Sequence, residues 1–216
     1  MVRMLRSFSV VLFLATSVVC SADSISLPAP LNDLIGNETT VAGQLFSDFA
    51  YVASGDMPDA SGLTVVALTG ESDQVELRFQ GAFADTASAG EATATISYRV
   101  TLDAGQLATH SVLQGNPAVL GGDGLGEVTT QLNDGFVVRI FDDGHQQHLL
   151  DSLTLDPQLG GSFMVEHDLR LAAGTESDGV VLSFVDHSIS LVPEPSCFAL
   201  AGVGLLCLGG FRRRVR

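Results

Sequence analysis

From residue 75 onward apolar side chains recur at every second position, and this alternation constrains the chain more than any other feature. Val75, Leu77 and Phe79 alternate with Glu76, Arg78 and Gln80; Ile96, Tyr98, Val100 and Leu102 alternate with Ser97, Arg99 and Thr101. A period of two sends successive side chains to opposite faces of an extended strand, so each segment buries one face and wets the other. Further strands are predicted over 45–52, 63–69, 107–113, 126–132, 136–141, 147–155, 162–172 and 180–191. Between them lie residues that tolerate positive φ or bond their own backbone: Asn133-Asp134-Gly135, Asp142-Asp143-Gly144, Gly160-Gly161 and Asp178-Gly179. Residues 114–125, rich in glycine and carrying Pro117, read as a long surface loop. With no interior helix and no internal repeat, the pattern implies an all-β domain, an antiparallel β-sandwich of jelly-roll or Ig-like type.

Charge narrows the partners. The chain has no lysine, and six of its ten arginines lie at the two ends: Arg3, Arg6, Arg212, Arg213, Arg214 and Arg216. Between residues 23 and 192 only Arg78, Arg99, Arg139 and Arg170 face twenty-four Asp and Glu, a formal −20 with His neutral. Such a surface repels nucleic acid and anionic lipid headgroups. Cys20, Cys197 and Cys207 all fall in the terminal apolar segments, so the central domain holds neither a disulfide nor a thiolate metal site.

The two ends read as export machinery. A basic start, an uncharged run from Phe8 to Val19 and the small residues Ser21 and Ala22 make residues 1–22 a secretory signal peptide, cleaved before Asp23. Val19 ahead of Cys20 disfavours lipoprotein processing. After the domain of 23–191 come Val192, Pro193, Glu194 and Pro195, an uncharged run over 197–211, and the cluster Arg212, Arg213, Arg214 and Arg216. The run is predicted to be a transmembrane helix, stopped from crossing by its arginines. Fifteen helical residues cover only about 22 Å, short of a bilayer core of about 30 Å, and Gly202, Gly204, Gly209 and Gly210 weaken it further. The order Pro-Glu-Pro, short glycine-containing helix and arginine cluster over 192–216 resembles the PEP-CTERM sorting signal of Gram-negative bacteria. That resemblance implies recognition by a membrane protease of the exosortase type. More weakly, Leu31-Asn32-Asp33-Leu34-Ile35 and Gln44-Leu45-Phe46-Ser47-Asp48-Phe49-Ala50-Tyr51 resemble the opening of uncharacterised PEP-CTERM ectodomains.

Candidate chemistry in the domain is sparse. Gly121-Gly122-Asp123-Gly124-Leu125-Gly126 resembles one copy of a calcium-binding β-roll repeat, with Gly126 where the ligand Asp belongs. His145 and His148 could share a metal only on a helix; in a strand they take opposite faces. His167 and His187 are the candidate metal pair. On 162–172 the apolar face is Phe163, Val165, His167, Leu169 and Leu171; on 180–191 it is Val181, Val185, His187, Ile189 and Leu191. A hairpin centred near Ser177 would set the two imidazoles opposite one another, though no carboxylate ligand shares that face. Gly-x-Ser-x-Gly and His-Glu-x-x-His are absent, and Glu166-His167-Asp168 begins a Glu-x-Asp-x-x-Glu glycosidase pattern that Leu171 breaks. The reading is therefore a non-enzymatic exported protein of the cell surface or extracellular matrix, requiring no cofactor. The alternatives are a carbohydrate-binding module for extracellular polysaccharide, with only Tyr51 and Tyr98 and no Trp to form an aromatic platform, and a secreted hydrolase.

Overall fold

The computed structural model describes residues 24–194 apart from 69–72, 87–89, 134 and 175–177. The signal peptide, Pro195, the run 197–211, the arginine cluster and Ser177 lie outside the described residues. In chain order the strands are β1 (Ala29–Pro30), β2 (Thr39–Val41), β3 (Gln44–Ser54), β4 (Thr64–Leu68), β5 (Gln74–Thr86), β6 (Ala92–Thr101) and β7 (Gln106–Gly115). They continue with β8 (Ala118–Leu120), β9 (Gly124–Leu132), β10 (Phe136–Asp142), β11 (Gln147–His148), β12 (Leu150–Gly160), β13 (Ser162–Ala173) and β14 (Gly179–Pro193). One helical turn, α1 (Leu31–Leu34), tucks Leu31 and Leu34 into the core.

Two antiparallel sheets face each other. The first runs β1-β4-β5-β14-β7-β12, with β8 also on β14; the second runs β11-β10-β9-β13-β6-β3-β2. Their central strands change sheet at each step except from β9 to β10, and β5-β14-β7-β12 faces β6-β13-β9-β10 in that order. This is the winding of a jelly roll, which decides between the two sandwich types the alternation allowed. The inward positions read from the sequence hold at Val75, Leu77 and Phe79 of β5 and along β6 and β13, where every second residue is buried. Phe46, Phe79, Phe83, Tyr98 and Phe163 supply the bulk between the sheets.

Three expectations are corrected. Val181 does not face the core: the register of β14 against β5 slips between Leu182 and Phe184. Val180 and Leu182 point inward before the slip and Val185, His187 and Ile189 after it, leaving Val181 on the surface. The extra residue of a bulge reverses strand parity, and no pattern in the sequence marks where it falls. Residues 147–155 are not one strand, because β11 pairs with β10 in the second sheet while β12 pairs with β7 in the first. Nor is 114–125 a plain loop, since Ala118, Val119 and Leu120 pair with β14.

Its glycines answer to packing. A Cβ on Gly126 would stand 2.9 Å from Pro117 Cβ and 3.0 Å from Val180 Cγ1. This glycine lets the 116–120 segment lie against β9, a role unrelated to metal binding. Gly126→Asp completes the β-roll repeat in sequence, yet we expect it to destabilise the domain by about 1–3 kcal/mol through overpacking, equally with and without calcium. Thermal melts in calcium and in chelator check this, and a melting temperature raised by calcium in the variant would contradict it.

Candidate functional site

Polar residues at inward strand positions meet in the middle of the sandwich. Tyr98 on β6 places its hydroxyl 2.9 Å from His187 Nδ1 and 3.3 Å from His167 Nε2. His167 Nδ1 lies 2.7 Å from the Thr130 hydroxyl, and His187 Nε2 lies 2.9 Å from that of Ser111. The result is one hydrogen-bonded chain, Thr130–His167–Tyr98–His187–Ser111, crossing from the second sheet to the first. All five residues are buried. The tyrosine has one proton, so it donates to one imidazole and accepts from the other. Both rings therefore carry their proton on Nε2, or both on Nδ1, and the chain has a single polarity.

The sequence brought His167 and His187 together for the wrong reason. β13 and β14 share no hairpin; they belong to opposite sheets, and the rings meet edge to face at 5.2 Å between centroids. All four ring nitrogens have hydroxyl partners, and among the described residues no group of three or more His, Cys, Asp or Glu could hold a metal ion. Burial holds both imidazoles below the usual histidine range, His187 at about 3. For His167 the charge on His187 adds to burial. Thr130 and Ser111 also stand at inward positions, Thr130 between Val128 and Leu132 and Ser111 two residues before Leu113. A hydroxyl at an apolar parity position was the available signal.

The remaining candidates lie on the surface. His145 approaches Asp123 at 3.2 Å and His148 approaches Asp151 at 3.7 Å, so each has its own carboxylate and they share none. Asp142, buried beside them, accepts from Val119 N–H, Gly144 N–H and the Gln147 amide. Asp85 accepts the Ala173 N–H at 2.6 Å across the sandwich, and its other oxygen has no hydrogen-bond partner among the described residues. On the outer face of the first sheet, burial and then the charge of Asp186 raise the Glu76 carboxyl above its ordinary range. Both Asp186 oxygens are held at 2.7 Å by Arg78, whose guanidinium covers Phe184. Neither tyrosine forms a sugar platform: Tyr98 is in the core, and Tyr51 donates to Pro58 O at 2.7 Å. On the second sheet Gln131, Asn133, Met164 and Glu166 line an open depression of about 380 Å³.

The last strand leads into the C-terminal segment. Val192 pairs with Leu107 and Pro193 with Gln106 on β7, and the Glu194 N–H donates to Gly105 O at 2.7 Å. Residues 191–214 match the family model described as the PEP-CTERM protein-sorting motif. The chain carries a PEP-CTERM sorting motif. The motif supports an exported protein sorted through its C-terminus and implies processing by exosortase, a membrane enzyme. The motif thus begins inside the sandwich, at Leu191.

No curated protein sequence matches the chain. Among solved structures it is similar to TmCBM61 in complex with β-1,4-galactotriose, at 16% identity and a TM-score of 0.28 over 67% of this chain and 88% of that one. It is similar also to a family two carbohydrate esterase from Cellvibrio japonicus, at 13% identity and a TM-score of 0.23 over 68% of this chain and 36% of that one. A third is an exo-β-1,3-galactanase from Phanerochaete chrysosporium with galactose, at 9% identity and a TM-score of 0.21 over 70% of this chain and 43% of that one. Scores of this size carry no argument about activity.

The buried imidazoles do make a measurable difference. They stay neutral in the folded domain but titrate near 6.5 once unfolded, so the unfolded chain binds more protons below that pH. We expect stability to fall from about pH 6.5 downward, by up to about 1.4 kcal/mol per pH unit for each ring. Urea midpoints between pH 7 and 5.5, above the range of ordinary carboxylates, check this, and a flat profile there would count against neutral buried rings.

Proposed function

We propose that the protein is a non-enzymatic component of the cell surface or extracellular matrix of a Gram-negative-type bacterium. Its signal peptide exports it, its tail holds it in the membrane, and an exosortase-like protease then cuts the tail. The sorting motif joined directly to an acidic sandwich carries this reading. An anchor meant to last would be longer and poorer in glycine than 197–211. In the domain itself, the polar residues best placed for chemistry are engaged with one another.

Hydrophobicity alone would tolerate Pro193→Ala with Pro195→Ala, because neither residue lies in the apolar run. A protease that reads the motif would not. In a host with the matching enzyme we expect the double variant to be exported and retained in the membrane while uncut precursor accumulates. Immunoblots of fractionated cells measure this, and processing equal to the wild type would leave only a short membrane helix.

A second reading, binding of extracellular polysaccharide, draws support from the depression at Gln131, Asn133, Met164 and Glu166. Its volume suits a small ligand. Two amides and a carboxylate can bond sugar hydroxyls, and the Met164 side chain can pack on a ring face. On this reading Gln131→Ala with Glu166→Ala would lower retention on an insoluble neutral polysaccharide at least about tenfold, the loss of two or so hydrogen bonds. Equal sedimentation of the two proteins would remove it.

A further inference from the structure

The sorting motif and the sandwich compete for the same backbone. Leu191 sends its N–H to Asp73 O at 2.7 Å, on the β5 side, while the Glu194 N–H goes to Gly105 O, on the β7 side. By strand alternation Val192 shares the direction of Glu194, and Pro193 shares that of Leu191. Pro193 has no N–H, and it stands where β14 has run past Asp73, so a proline is accommodated in a strand that is central for most of its length. The same arithmetic has a consequence for proteolysis. Among Val192, Pro193 and Glu194 the available donors are those of Val192 and Glu194, and both are turned to β7.

An enzyme that binds an extended segment pairs with its backbone as an added strand would. We propose that the folded domain masks the first residues of its own sorting motif, so that the exosortase-type protease acts on a strand end already peeled from β7. The inference rests on the reading of the tail as a processed signal. The peel has a defined limit. Val192 is 37% exposed and Pro193 and Glu194 are also exposed, whereas Leu191 is 8% exposed and belongs to the core. Opening through Val192 breaks ladder bonds without uncovering the core; opening beyond it pulls Leu191 into water. Local openings at strand ends are low-cost motions, so the closed end slows the protease without excluding it.

A reversible cross-link tests this. Leu107 and Val192 are paired positions, and paired antiparallel Cα atoms fall within disulfide range. The full chain with L107C and V192C, in a C197S/C207S background, is expressed in a host with the protease and followed by pulse–chase. Mass spectrometry confirms the cross-link. We expect processing to slow about tenfold or more when the pair is oxidised and to recover, on adding reductant, to the rate of the same variant kept reduced throughout. Equal rates for the oxidised and reduced forms would overturn the proposal. Gly105→Ile works in the opposite sense: Gly105 has φ +82°, so a β-branched residue there displaces the carbonyl that anchors Glu194. Processing should become faster, and an unchanged or slower rate with the domain still folded would likewise overturn it. The Pro193 and Pro195 variant separates the two ideas. If that protein is cut normally the sorting reading fails whatever the cross-link does.

Discussion

The sandwich closes on β14. It is the last strand among the described residues, yet it lies inside the first sheet, bonded to β5 on one side and to β8 and β7 on the other. β5 and β7 do not pair with each other. Until residues 179–193 are in place the first sheet is two separate pieces, β1-β4-β5 and β7-β12, with β8 unpaired, and each piece has an open edge that another strand could capture. The inward residues of β14, from Val180 to Leu191, also complete one wall of the core. Folding of the domain and placement of its C-terminal signal are therefore the same event.

β14 also carries the polar centre of the core. His187 reaches Tyr98 and Ser111, and through Tyr98 it reaches His167 and Thr130. A buried imidazole without partners would cost the full desolvation of its nitrogens. Here each nitrogen has a hydroxyl, so the penalty is offset only in a register that sets both rings against the tyrosine. A sheet slipped by two residues would keep its apolar face and lose those bonds. The chain of hydroxyls and imidazoles thus specifies the docking of the two sheets, where apolar packing alone would tolerate neighbouring registers.

Much of the fold was legible because it depends on local pattern. Alternation located β5, β6, β9, β10 and β13 to within a few residues, apart from the longer far end of β5, and placed Phe163, Val165, His167, Leu169 and Leu171 on an inward face. What it could not carry is the assignment of strands to sheets. β12, β13 and β14 alternate between the two walls, and a period of two is the same on either wall, so the supposed hairpin of β13 and β14 looked as plausible as the true arrangement. The break at Leu149, where the chain changes sheets, and the slip at Leu182 leave no mark either. The sorting motif was legible for the opposite reason: it is read as a linear sequence. Its tie to β7 was not, because Gly105, Gln106 and Leu107 stand far from it in the chain.

The arginines complete the electrostatic account. Arg78 pairs with Asp186, Arg99 with Asp48, Arg139 with Glu127 and Arg170 with Glu91. Three of these pairs are substantially exposed on both sides or on the arginine side, and pairs of that kind add little to stability. Their larger effect is on what the surface can bind. These are all the basic Arg and Lys residues between 23 and 194, and each is already held by a carboxylate. An anionic polymer would have to displace an acidic side chain that is tethered beside its arginine, against a background of about twenty uncompensated negative charges. The same argument that sets nucleic acid aside applies to acidic polysaccharides. A polymer partner for this domain should be neutral or cationic, or should come with a divalent ion between the two surfaces.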